Sequence, residues 1–256
     1  MTELVHSSTA RGVATLTLDS PANRNALSPR LIGELAAGLR AAIDDDMVRV
    51  VVLSHAGKVF CSGIDLKATA AAEGSGEMPV TAFPELLTSL WDAPKPVVAR
   101  VGGPARAGGI GLVAACDIAV AGASATFAFT EVLLGVVPAV ISVPVLARLL
   151  PRAAHELFLT GETFGAERAT AVGLVNAAVT DDALDAEVDR YVELLVRGAP
   201  GALATTKRLL LRRTADSMAA EFAELAALSA ERFGSDEGRE GVAAFGEKRR
   251  PSWVPD

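Results

Sequence analysis

The chain has 256 residues, half of them hydrophobic, with 24 basic against 31 acidic side chains and a formal net charge of −7. That length fits one large domain, or one plus a small appendage, and buries a substantial core. No basic block is present to meet phosphates, which argues against nucleic acid, and Cys61 and Cys116 are too few and too isolated for a zinc site or a disulfide framework, so small-molecule partners are expected.

In chain order, the opening MTELVHSSTARGV has neither a basic start nor an apolar core, so no secretory signal is read and a cytoplasmic protein is expected. Residues 12–19, GVATLTLD, alternate at period two as a strand does, and Ser28-Pro29 then caps a helix whose Leu31, Ile32, Leu35, Leu39, Ala42 and Ile43 share one face. Residues 48–54, 95–101, 117–122 and 173–179 are continuous apolar runs, the pattern of strands covered on both faces. Alternation of such strands with helices gives an α/β fold. Residues 72–78, AEGSGEM, read as a loop, and residues 132–147 as buried core, because they contain Gly135 and two prolines and fall short of the roughly 20 residues that span a membrane. No membrane partner is expected. From about Asp181 the strand signal stops and the chain reads as helical to its end.

Two glycine loops carry the chemistry. PARAGGIGLVAACDIAV, residues 104–120, and KVFCSGIDLK, residues 58–67, each run from a strand end into a helix start, where backbone N–H groups are free to meet an anion. Gly109 to Ala114 match the dinucleotide fingerprint G-x-G-x-x-A, but the acid about 20 residues on, Glu131, lies past a further strand-like stretch instead of ending the second strand, so nicotinamide binding is rejected. A serine hydrolase lacks its G-x-S-x-G elbow, and His6, His55 and His155 are its only candidate bases; no pair of histidines or cysteines has metal-ligand spacing. What remains is a site of backbone donors aimed at one oxygen.

These loops together with Glu131 resemble the enoyl-CoA hydratase/isomerase (crotonase) superfamily, through ATLTLDSPANRNALS, VFCSGIDLK, PKPVVARVGGPARAGGIGLVAACDIAVA, FAFTEVLLGVVP, ELFLTGETFGAERATAVGLVNAAV and EGREGVAAFGEKRRPSW. The resemblance implies a spiral of ββα turns over residues 1–198 and a C-terminal helical region over 199–256 that assembles trimers or hexamers. It implies an acyl-CoA thioester as substrate and no separate cofactor, coenzyme A being part of the substrate. The oxyanion donors would be Ile64 and Gly108, and the catalytic carboxylate Glu131, at a helix start; by itself Glu131 also reads as an ordinary N-terminal helix acid with Thr130 as its cap. Arg24, Ala26, Leu27, Ser62, Asp65, Leu66 and Lys67 would line the coenzyme A site, with Phe245 and Lys248 reaching a neighbouring subunit's coenzyme A.

One departure stands out: where hydratases of this family place a second glutamate, this chain has Gly111, and Ala139 likewise lacks the acid that dienoyl-CoA isomerases and dehalogenases use. The residues therefore lean toward double-bond isomerisation by one acid, the overall resemblance toward hydration, and a non-catalytic acyl-CoA-binding protein is the alternative. Arg106, a cation two residues before Gly108, is open between pairing with Glu131, holding a substrate carboxylate and facing solvent.

Overall fold

A computed structural model describes residues 3–65, 82–211, 222, 225–231, 233–249 and 251–252. Leu66, Lys67 and the 72–78 loop lie outside the described residues. Strands β1 (Val5–Ala10) and β2 (Val13–Leu18) form an antiparallel hairpin, which opens a six-stranded sheet. It continues in parallel through β3 (Val50–His55), β4 (Val97–Val101), β6 (Ile118–Gly122) and β9 (Ala177–Val179). A smaller sheet, in the order β5 (Ala105–Arg106), β7 (Thr126–Ala128) and β8 (Phe164–Gly165), stands beside it.

The apolar runs of β3 and β4 arise because successive side chains enter different cores. Val51, Leu53, Val97 and Ala99 pack into the main core with α1 (Pro29–Asp44) and α2 (Ala82–Asp92). Val50, Val52 and Val98 face the opposite way, onto Leu184, Val188 and Val192 of α7 (Leu184–Val196). Helix α1 begins as its sequence predicts: Ser28 Oγ accepts from the Leu31 N–H, Pro29 opens the first turn, and Leu31, Ile32, Leu35, Leu39 and Ala42 are buried.

Two expectations are corrected. The run at 173–179 gives only the short, half-buried β9, because Gly173 turns the chain at φ 89° and β9 pairs on one side alone, with β6. Residues 132–147 are not wholly buried: they finish a 3-10 turn (Thr130–Leu134) and form α4 (Ala139–Leu146), with Leu133 52 % and Leu146 53 % exposed.

Between β5 and β6 the chain makes α3 (Gly108–Ala115), a helix buried along its whole length. Helices α5 (Pro151–Thr160) and α6 (Ala166–Ala171) follow α4. Beyond α7, α8 (Pro200–Leu211), helical residues 225–231 and α9 (Asp236–Glu247) complete the C-terminal region. Lys207 of α8 is buried, and its Nζ donates to Asp117 Oδ2 at 2.7 Å and to the Leu90 carbonyl at 3.3 Å. Among the described residues no helix is long and apolar enough to cross a membrane.

Candidate active site

The two glycine loops meet. Leu27 donates its N–H to the Gly63 carbonyl at 2.8 Å and accepts from the Asp65 N–H at 3.2 Å, a one-residue parallel bridge that turns the Ile64 N–H away from Leu27. A second bridge, Cys61 to Ala105, fastens this loop to β5, with the Arg106 N–H on the Cys61 carbonyl at 3.0 Å. A Cβ on Gly63 would stand 3.0 Å from the Ala107 Cβ and 3.6 Å from the Gly108 nitrogen, so the loops are in contact.

Gly108 is the first residue of α3, where a helix leaves its N–H groups unpaired. Ala107 ahead of it has φ 46° and ψ −118°, a conformation costly for any residue with a Cβ, and its side chain caps nothing. That torsion fixes the direction of the Gly108 N–H. A Cβ on Gly108 would come 2.7 Å from Leu27 Cδ1, which is why glycine stands here. Neither the Ile64 nor the Gly108 N–H has a hydrogen-bond partner among the described residues. Unpaired N–H groups on touching loops, one of them at a helix N-terminus, are chemically suited to donate to an anionic oxygen.

Both donors line a cavity of about 670 Å³. Arg24, Ala26, Ser62, Asp65, Glu131 and Phe245 line the same cavity, so the structure assembles most of the residues that the sequence separates. Leu27 sits behind the wall, fully buried against Gly108. Lys248 is an exposed left-handed C-cap of α9, off the wall. Phe245, expected to reach toward a neighbouring subunit, lines the cavity of its own chain, because α9 lies on the 3-10 turn 130–134: a Cβ on Gly241 would come 2.0 Å from the Leu134 carbonyl oxygen.

Glu131 lies in that 3-10 turn, in place of the expected α-helix, and Phe129, not Thr130, is its N-cap. Its Oε2 is sealed from solvent without a hydrogen-bond partner among the described residues. Burial pushes its carboxyl up to about 7, its own backbone N–H opposing weakly. A carboxyl near 7 holds or releases a proton with equal ease at neutral pH, which is what an acid–base group requires.

Gly111 is buried on α3 facing α4, where a Cβ would come 2.7 Å from Ile141 Cγ2 and 3.5 Å from Phe83 Cζ. Ile141 and Phe83 face the cavity, whereas Gly111 does not reach it. The absent acid thus leaves no gap, because an isoleucine occupies its place. Arg106 makes no ion pair with Glu131; its guanidinium donates to the Thr126 carbonyl, Thr126 Oγ1 and the Ala105 carbonyl.

A family model for enoyl-CoA hydratase/isomerase matches residues 8–255. The chain belongs to the enoyl-CoA hydratase/isomerase family. It is 34% identical over 265 residues to the carnitinyl-CoA dehydratase of Escherichia coli K12, with 99% of each chain covered. It is 32% identical over 246 residues to the mitochondrial enoyl-CoA hydratase domain-containing protein 3 of Danio rerio, covering 94% of this chain and 84% of that one. Among solved structures, an enoyl-CoA hydratase from Mycobacterium avium superposes with a TM-score of 0.90 at 44% identity, over 99% of this chain and 100% of that one. The crotonase fold implied by the sequence is therefore this protein's fold.

Cavity residues that sequence reading did not single out come from elements distant in the chain. Phe83 stands at the start of α2, and Ser229 and Phe233 belong to the C-terminal helices. Phe83 lies in a plainly amphipathic segment, which signals burial but gives no hint of a cavity. For Ser229 the sequence carries no signal.

Proposed function

We propose that the protein binds an enoyl-CoA thioester with the carbonyl oxygen between the N–H groups of Ile64 and Gly108, and that Glu131 is the sole proton carrier of a double-bond isomerisation. The carboxylate form of Glu131 takes a proton from C2 of a 3-enoyl thioester, and the two donors stabilise the resulting dienolate oxygen. The carboxylic acid then returns that proton to C4, leaving the 2-enoyl product and the starting carboxylate. The observation that carries this reading is the pairing of a carboxyl raised to about 7 by burial with an isoleucine filling the space beside Gly111. Asp65, the other acid on the wall, belongs to the strand-like edge that the resemblance assigns to coenzyme A.

Hydration is the second reading, favoured by the names of the relatives. It requires a water held and deprotonated while the α-carbon is protonated, work usually shared by two carboxylates. Incubation with matched 2-enoyl- and 3-enoyl-CoA thioesters decides. Conversion of 3-enoyl to 2-enoyl thioester without accumulation of 3-hydroxyacyl product is the expected result. Rapid hydration with no isomerisation overturns it, and binding without turnover of either set leaves an acyl-CoA-binding protein.

The apolar C-terminal helices support assembly into trimers or pairs of trimers. Leu209 and Leu210 of α8 are 61% and 79% exposed. Phe222 of the same C-terminal region is buried in its own chain's core and is not available for such a contact.

A further inference from the structure

Arg106 is a cation on the wall of the cavity without a carboxylate to balance it among the described residues. Its guanidinium carries five N–H donors. Nη1 donates to the Thr126 carbonyl at 2.6 Å and to the Ala105 carbonyl at 3.0 Å, and Nη2 to Thr126 Oγ1 at 2.9 Å. These bonds use one edge of the fork and hold the plane still. The Nε–H and the remaining Nη2–H form the other edge, the pair whose parallel spacing matches the two oxygens of a carboxylate. Burial lowers the affinity of the group for its proton, the mark of a cation drawn partly out of water with no anion to compensate.

The placement links this cation to the chemistry. Arg106 ends β5, Ala107 turns the chain, and Gly108 supplies an oxyanion donor, so cation and donor sit on one short stretch fixed by the Cys61 bridge and by the Ala107 N–H on the Ala128 carbonyl. A rigid cation at a set separation from a thioester oxygen selects for an anion at a set separation along the acyl chain.

We propose that Arg106 recognises a second carboxylate on the acyl group, so that the preferred substrates are CoA monothioesters of unsaturated dicarboxylic acids. This rests on the acyl-CoA reading above. A free edge of the guanidinium, held in place by Thr126, gives such acyl groups a bidentate partner that plain enoyl chains lack.

Binding is measured first, so that turnover is not needed. Calorimetry with glutaryl-CoA and adipyl-CoA against valeryl-CoA and hexanoyl-CoA is expected to show the dicarboxylic member of at least one pair binding about 10- to 100-fold tighter, the range of charge-assisted hydrogen bonds. Arg106→Met keeps the aliphatic stem and should collapse that ratio toward one, while Arg106→Lys restores part of it. The kcat/KM ratio for glutaconyl-CoA over 2-pentenoyl-CoA should fall in parallel. Equal binding within both pairs by the wild-type protein overturns the assignment of Arg106 and leaves the acyl-CoA reading standing. An equal loss for all four thioesters in a folded Arg106→Met protein assigns Arg106 to coenzyme A or to loop structure and overturns it too. Absence of binding by every thioester overturns both readings.

Discussion

Ala107 holds φ 46° and ψ −118° because its N–H is tied to the Ala128 carbonyl while its own carbonyl accepts from Ile110 and Gly111. Such a conformation stores about 1–3 kcal/mol in a residue with a Cβ. Ala107→Gly is therefore expected to stabilise the protein by about 1 kcal/mol in urea unfolding, after part of the relief is lost to the freer unfolded chain. No gain would show that the torsion is unstrained. Glu131 behaves in the opposite sense. Its folded-state value of about 7 lies above the ordinary 4.5, so the native state favours the protonated form. The associated stability is fully present below about 4.5 and is lost as the pH rises through 7, on the order of 3 kcal/mol at about 1.4 kcal/mol per pH unit. Glu131→Gln should lack this one contribution, so the change in melting temperature between about pH 4.5 and pH 8 should be smaller in the variant than in the wild-type protein. The same variant should lose about 10²- to 10⁴-fold in turnover while retaining thioester binding, because Ile64 and Gly108 are untouched. A loss of less than tenfold excludes Glu131 as the proton carrier.

Between elements, two contacts decide how the site is held. Helices α3 and α4 meet at Gly111 and Ile141 so closely that a carboxylate cannot simply be added. Gly111→Glu is expected to cost about 1–3 kcal/mol by overpacking and to give no hydration. Pairing it with Ile141→Ala makes room, and recovered stability with new 3-hydroxyacyl product is the expected outcome of the double variant. Just past the C-terminal end of α3, Lys207 ties α8 to Asp117, whose carboxylate also accepts from the Val97 N–H at 2.8 Å. Lys207→Met removes one member of a buried pair, and denaturant unfolding should show a loss of about 3 kcal/mol. A change within 0.5 kcal/mol, roughly that of an ordinary surface substitution, would mean that the pair contributes nothing to docking α8.

For the whole molecule, the apolar surface that remains exposed bears on assembly. Leu209, Leu210 and Leu228 of the C-terminal helices stand 61%, 79% and 41% exposed, more than a freely soluble helical tail usually presents. Light scattering at micromolar concentration should report a trimer or a pair of trimers, and a strict monomer would reject the proposed assembly. Phe245 lines the cavity of its own chain and α9 lies on the turn that carries Glu131, so this cavity wall is built from one chain.

The α/β class, the capped start of α1 and the two glycine loops were legible because each depends on neighbours in the chain: alternation at period two, a serine followed by proline, or a glycine where a strand becomes a helix. Family motifs carried Ile64, Gly108 and Glu131 to one site by resemblance. The aim of the two N–H groups depends on Leu27 bridging Gly63 and Asp65 and on the torsion of Ala107, and these are set by contacts between distant segments. The sequence marked Gly111 as the place of a missing acid, but only packing placed Ile141 against it. It left Arg106 open among three roles, and the tie to Thr126, twenty residues away, turned one edge of the guanidinium to the protein and left the other free. Local periodicity and turn chemistry determine where elements form; which groups face the cavity is decided by close packing, where one methyl group or one backbone angle changes the neighbour.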